Sequence, residues 1–133
     1  IVIGNKQNIE TKDNVQLEFT GHLKSQKKLS QIYNAADLLV VPSLNDNLHN
    51  IIVESLCCGT PVVAFNVGGI PEMIVDNENG FLSEEINSSS LAKNISKALK
   101  HSWNYKEIAQ VALKKYSPAT AANKYIEVYK ECL

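Results

Sequence analysis

Apolar residues along the chain fall into two kinds of segment, short continuous or alternating runs and longer stretches with helical spacing. Ile1-Val2-Ile3 reads as a short buried strand ended by Gly4-Asn5, and Lys6 to Asn14 as a polar loop or insertion. Val15, Leu17 and Phe19 alternate with Gln16, Glu18 and Thr20, the period of a half-buried strand closed by Gly21. Ser25 is placed to cap a helix carrying Leu29, Ile32 and Ala36 on one face. Leu38 to Val41 is a continuous apolar run between Asp37 and Pro42, which predicts a strand covered on both faces.

From Val40 to Glu72 the pattern is a strand end, a polar loop, a short helix, a Gly-Thr-Pro turn, a second strand and a Gly-Gly loop. Glu54 stands in that helix among Ile51, Ile52, Val53, Leu56, Cys57 and Cys58. A helix apolar on nearly all sides predicts burial, and a buried carboxylate needs a partner. No Lys or Arg lies within one helical turn, so a hydroxyl-rich ligand is one candidate. Asn50 precedes Glu54 by one turn on the same face, and Asp46 lies in the loop that rims it. Gly59 is expected to stop the helix, and Pro61 leads the strand Val62 to Phe65. Gly68-Gly69 offers backbone that a ligand can approach closely, with Glu72 opening a short helix.

Beyond this stretch, Asp76 to Gly80 is a turn whose Asn79-Gly80 pair suits positive φ, and Phe81-Leu82 is one more short strand. Three amphipathic helices close the chain: Leu91 to Leu99, Tyr105 to Leu113, and a last one opened by Pro118 and carrying Tyr125, Ile126, Tyr129 and Leu133. Their Tyr and Leu residues are expected in the core. Buried strands alternating with helices predict a Rossmann-like α/β fold, a parallel sheet with helices on both faces. The loops after Gly21, Val41 and Phe65 then gather at the C-terminal edge of the sheet, where ligands bind in open α/β sheets.

Composition narrows the function classes. The 133 residues suffice for one domain with a real core, and 44% apolar content excludes disorder. Net charge is −1 with no basic block, which argues against nucleic acid as a partner. The 13 basic residues are all Lys, so the side chain best suited to bidentate phosphate recognition is missing. Three cysteines form neither a disulfide framework nor a zinc spacing, and read as small hydrophobes in a reducing, cytoplasmic setting. His22 and His49 read as loop residues and His101 as a residue complementing a helix C-terminus. The abrupt apolar start, without Met, suggests a piece of a longer polypeptide.

The segment VPSLNDNLHNIIVESLCCGTPVVAFNVGGIPEMI resembles the signature of family-4 retaining glycosyltransferases of the GT-B fold. Their pattern is two glutamates separated by seven residues, a Gly-x-Pro-Val-Val strand, then Gly-Gly-x-x-Glu. The likeness extends to Phe19-Thr20-Gly21, Ala36-Asp37-Leu38 and the closing helices, nearly the whole chain. In that family this is the C-terminal, donor-binding half. The resemblance implies that Glu54 binds the ribose hydroxyls of a nucleotide-diphosphate sugar and that Asp46 lies near the reacting carbon. It implies that His49 and Asn50, beside Leu48, offer backbone amides to the donor phosphates. It assigns Leu23 to the nucleobase, and Gly68 and Gly69 to the donor side.

Two positions depart from the family pattern: Asp46 is one methylene shorter than Glu, and His49 replaces the usual Gly or Pro. The Arg and Lys that hold the leaving diphosphate in the family would precede Ile1, as would the acceptor domain. The expected function is therefore donor binding within a transferase acting on a glycan or lipid acceptor, with the isolated chain inactive. Neither cofactor nor metal is implied, and the longer protein has room for peripheral membrane association. Two other readings stay open: a non-catalytic GT-B half acting as a binding or assembly module, and part of a nucleotide-sugar epimerase or hydrolase.

Overall fold

The computed structural model describes residues 1–2, 15–45 and 49–132. Ile3, the 6–14 stretch, Asp46, Leu48 and Leu133 lie outside the described residues. Three parallel strands, β1 (Leu39–Val41), β2 (Val62–Phe65) and β3 (Gly80–Ser83), form one sheet in the order β1-β2-β3. Leu39 pairs with Val62, and Val62 with Gly80, so the three strands run in the same direction. Five helices accompany them: α1 (Gln26–Ala35), α2 (Asn50–Cys57), α3 (Ser88–Lys100), α4 (Tyr105–Lys115) and α5 (Pro118–Glu131). None is long and apolar enough to cross a membrane.

Local chemistry sets the helix starts. Ser25, Asn87, Asn104 and Ser117 each accept a hydrogen bond from a backbone N–H three residues on, at 3.4, 2.8, 3.3 and 3.0 Å. Such caps satisfy amides that the helix cannot. Pro118 follows Ser117 as the first helical residue, where its missing N–H costs nothing. Gly59 stops α2: it takes φ +86°, and a Cβ there would stand 2.6 Å from the Tyr105 carbonyl oxygen. The α2–α4 contact depends on that missing side chain.

Helices cover both faces of the sheet, as the burial of its strands requires. On one face Val41, Val62 and Ala64 meet Ile52 and Leu56 of α2, Ile70, Met73 and Ile74 of the following turn, and Ile108 and Ala112 of α4. On the other, Val63 and Phe81 meet Ala98 of α3, with Leu38, Leu91, Ile95 and Trp103 around them. All four residues of β2 are buried, the mark of a central strand.

The expected strands at Ile1 to Ile3 and Val15 to Phe19 meet where Val2 pairs in parallel with Phe19, the Val2 N–H donating to the Glu18 carbonyl at 2.7 Å and the Thr20 N–H to the Val2 carbonyl at 3.1 Å; Ile3 lies outside the described residues, and Val15 is exposed. Three other sequence expectations fail. Positive φ falls on Asn77 (+67°), not on the Asn79-Gly80 pair. Asn79 instead spends its amide on the Val75 N–H and the Met73 carbonyl, and Gly80 enters β3. The closing helices are not core throughout, since α5 buries no residue and leaves Tyr125, Ile126 and Tyr129 exposed. Leu99, Tyr105 and Leu113 are likewise exposed, because α3 and α4 bury only the stripe that meets the sheet or α2.

The third failure concerns Glu54. The helix α2 buries Ile52, Ser55 and Leu56 against the sheet, but Glu54 is exposed and Ile51 is 40% exposed. Eight residues make just over two turns, and the helix packs on the sheet along one side, so part of the apolar run faces outward. A carboxylate there stays hydrated and does not by itself demand a ligand.

Candidate functional site

Because β1 and β2 are parallel, Val41 and Phe65 end at the same edge of the sheet. The chain leaving β1 passes Pro42 and Ser43 and reaches His49, which takes the N-cap position of α2 in an extended conformation (φ −82°, ψ 109°). Asn50 is the first helical residue and is exposed, as is Glu54 one turn on. The N–H groups of this first turn point to the edge and carry the positive end of the helix dipole. The chain leaving β2 turns through Val67 and Gly68, whose φ of +56° lies in the left-handed region that glycine adopts freely. Gly69 has ordinary backbone (φ −87°) and caps the 3-10 turn Ile70–Glu72, whose Glu72 is exposed.

The Glu54 carboxylate is held by a neighbour that sequence reasoning missed. The Tyr33 hydroxyl of α1 donates to Glu54 Oε2 at 3.2 Å, from a ring only 3% exposed. Tyr33 is itself fixed from behind, because the Thr60 hydroxyl donates to its carbonyl at 2.6 Å. Ser55 donates to the Thr60 carbonyl at 3.0 Å, which ties α2 to the same turn. Burial first, and then the Glu54 charge and hydrogen bond, push the Tyr33 hydroxyl well above the ordinary tyrosine range. It stays a donor at any physiological pH. The available signal was a tyrosine in an apolar helical stripe, since a buried phenol requires a partner.

A cavity of about 930 Å³ opens beside β1. Leu23 and His22 line it, together with Tyr33, Pro42, Ser43 and Ile51, so the expected nucleobase contact and the residue holding Glu54 share one space. Gly68 and Gly69 do not line it; they stand at the same edge beyond β2. A second cavity, of about 410 Å³, lies between the 73–79 turn and α4 and takes none of the predicted site residues. Cys57 and Cys58 are half-buried, and burial raises both thiols, with the Glu54 charge adding to the effect on Cys58. Such thiols are poor nucleophiles. Among the described residues, no three of His, Cys, Asp and Glu converge as a group that could hold a metal ion.

The fold is shared with solved structures of longer proteins. Sucrose-phosphate synthase from Thermosynechococcus elongatus superposes with a TM-score of 0.71 at 24% identity, over 86% of this chain and 30% of that one. Anabaena Alr3699/HepE in complex with UDP gives 0.67 at 24% identity, over 86% of this chain and 32% of that one. At the sequence level, the D-inositol 3-phosphate glycosyltransferase of Mycolicibacterium smegmatis is 40% identical over 76 residues, 57% of this chain and 18% of that protein. The uncharacterized glycosyltransferase MJ1607 of Methanocaldococcus jannaschii is 34% identical over 107 residues, 77% of this chain and 27% of that protein. The chain thus spans less than a third of the proteins it resembles. Its residues 1–101 match the family described as Glycosyl transferases group 1, and the chain belongs to that family.

Proposed function

We propose that this chain is the C-terminal, donor-binding half of a two-domain, family-4 retaining glycosyltransferase, and that it grips a nucleotide-diphosphate sugar at the shared edge of β1 and β2. The observation that carries the reading is the exposed Glu54 carboxylate, steadied by Tyr33 one helical turn from the N-terminus of α2. One carboxylate oxygen is engaged by the phenol, and the carboxylate retains acceptor capacity for the two hydroxyls of a ribose. The diphosphate then lies over the first-turn amides at Asn50, the base near Leu23, and the sugar near Asp46 and the Gly68-Gly69 loop. Structures of Anabaena Alr3699/HepE with UDP and with UDP-glucose support a uridine nucleotide as the first donor to try.

Departure of a nucleoside diphosphate needs its developing negative charge neutralised. Helix dipole and amides supply part of that. The chain has no Arg, so cations from a preceding segment supply the rest in this reading, and the acceptor, a glycan or lipid, is held by a separate domain. The isolated chain binds donor and transfers little or nothing. No metal is required for such a site.

Calorimetry with UDP and UDP-glucose, on this chain and on the longer protein, tests the assignment. Glu54→Ala should weaken nucleotide binding by roughly tenfold or more, the loss expected when a charge-assisted hydrogen bond is removed. An unchanged affinity in a folded Glu54→Ala variant would sink the ribose role, and steady sugar transfer by the isolated chain would sink the division of labour.

A further inference from the structure

The cavity of about 410 Å³ is a groove laid along the whole of α4. Asn104, Glu107, Ile108, Val111, Ala112 and Lys115 line it, a spacing of three and four residues that belongs to one face of the helix. With 11 helical residues the groove runs for about 16 Å. Its floor is buried and apolar, made by Leu56, Met73, Ile108 and Ala112. Val75 and Val111 stand at the two sides, 47% and 57% exposed, so apolar surface continues up to the rim.

The two ends carry opposite charge. At the C-terminal end of α4, Lys115 Nζ donates to the Glu72 carbonyl at 2.9 Å and keeps two further N–H donors. It stands 5.2 Å from the centre of the Tyr116 ring. The Tyr116 hydroxyl oxygen is buried and has no hydrogen-bond partner among the described residues. At the other end are the Glu78 and Glu107 carboxylates. One Glu107 oxygen accepts from the Asn104 amide at 2.8 Å, which leaves the second as an acceptor. The helix dipole opposes this polarity with only about half a charge at each end, so the side chains set the sign.

Length, charge and floor together select the ligand. A single amino acid holds its ammonium and carboxylate too close together to reach both ends. An extended chain advances about 3.3 Å per residue and spans the groove in about five. Its side chains alternate, so every second one meets the floor and those between face solvent. We propose that the groove binds an extended peptide of about five residues, its C-terminal carboxylate at Lys115 and Tyr116, its N-terminal ammonium at Glu78 and Glu107, and apolar side chains at alternate positions on the floor. Lys115 is exposed and meets the carboxylate first. The phenol, out of reach of solvent, joins it on a small turn of the ring and gains the acceptor it lacks. The proposal is independent of the nucleotide reading, since none of the described residues assigned to the donor lines this groove.

Titration of this chain with the free pentapeptide Leu-Ser-Leu-Ser-Leu, followed by calorimetry and by amide chemical shifts, tests the site. Saturable binding with a Kd below about 1 mM is expected, with shifts at Val75 and Val111 and not at Leu23 beside the other cavity. Amidation of the peptide C-terminus should weaken binding about tenfold, and acetylation of its N-terminus several-fold. Lys115→Met should lose as much as amidation does, and the two losses should not add, because both remove one ion pair. Val111→Lys, at an exposed position, should abolish binding. Tyr116→Phe should weaken it several-fold and leave the urea midpoint unchanged, since the hydroxyl has no partner to lose. Three results would overturn the proposal: no saturable binding at about 5 mM peptide by a chain whose Val63 and Phe81 amides are protected from exchange, equal affinity for the free and amidated peptides, or shifts centred on Leu23.

Discussion

The Tyr33 phenol and the Glu54 carboxylate meet at 3.2 Å across the α1–α2 contact, with Tyr33 buried and Glu54 facing solvent. The donor comes from the core and the acceptor from the rim, so the pair fixes an exposed charge by means of a rigid neighbour. Preorganisation of this kind lowers the ordering cost when a ligand arrives. Tyr33→Phe removes the hydroxyl and keeps the packing. Since Glu54 is well solvated, the loss in stability should stay near about 1 kcal/mol. Nucleotide affinity should fall several-fold, less than for Glu54→Ala. A denaturation midpoint and a calorimetric titration of the same variant measure the two, and an affinity loss exceeding that of Glu54→Ala would show that Tyr33 itself touches the ligand.

The same pair predicts an alkaline weakness. The folded state holds the Tyr33 proton more tightly than the unfolded chain does, chiefly because the ring is buried. Its contribution is therefore fully present below the ordinary tyrosine pKa of about 10 and declines as pH rises beyond it. Thermal midpoints measured from about pH 8 to about pH 11 should fall more steeply in the parent than in Tyr33→Phe. Parallel curves would show that Tyr33 titrates alike in both states.

Where local chemistry decides the outcome, the sequence was readable. Ser25, Gly59, Pro118 and the run Val62 to Phe65 each announce an element that the fold contains at that place. The carboxylate Glu54 was readable as a residue but not in its surroundings, because an eight-residue apolar helix can be buried on one side only and spacing does not say which. Tyr33 was invisible for a related reason: its partner is 21 positions away and meets it only through the packing of α1 on α2. Asp46 and Leu48, also expected at the site, lie outside the described residues. The α5 face misled because amphipathic spacing reports that a helix has an apolar side, not that this chain holds what covers it.

Gly59 and Gly21 offer a matched test of steric against conformational cost. Both have positive φ, +86° and +67°, but a Cβ at Gly59 meets the Tyr105 carbonyl at 2.6 Å, whereas at Gly21 nothing lies within 4 Å. Gly21→Ala should cost only the left-handed penalty, roughly 1–2 kcal/mol. Gly59→Ala adds a clash with backbone that cannot rotate aside, and should cost at least about 1–3 kcal/mol more by urea denaturation. Equal losses would mean that α4 shifts freely and that the α2–α4 contact contributes little.

Phe81 and Tyr129 should respond oppositely to truncation, although both are large aromatics on regular elements. Phe81 is fully buried in β3, with the His101 and Trp103 rings at 5.6 and 5.3 Å and the Lys97 ammonium 3.8 Å from its centroid. Phe81→Ala leaves a cavity that these neighbours, one of them tied through its indole N–H to the Ala98 carbonyl, cannot fill, and should cost about 3–5 kcal/mol. Tyr129 is 70% exposed on a helix that buries nothing, and Tyr129→Ser in this chain should stay within about 0.5 kcal/mol of the parent. Urea midpoints of the two variants decide the matter. A large loss for Tyr129→Ser would mean that α5 packs on a surface in solution, through self-association or a rearrangement of the helix, and its dependence on protein concentration would distinguish the two.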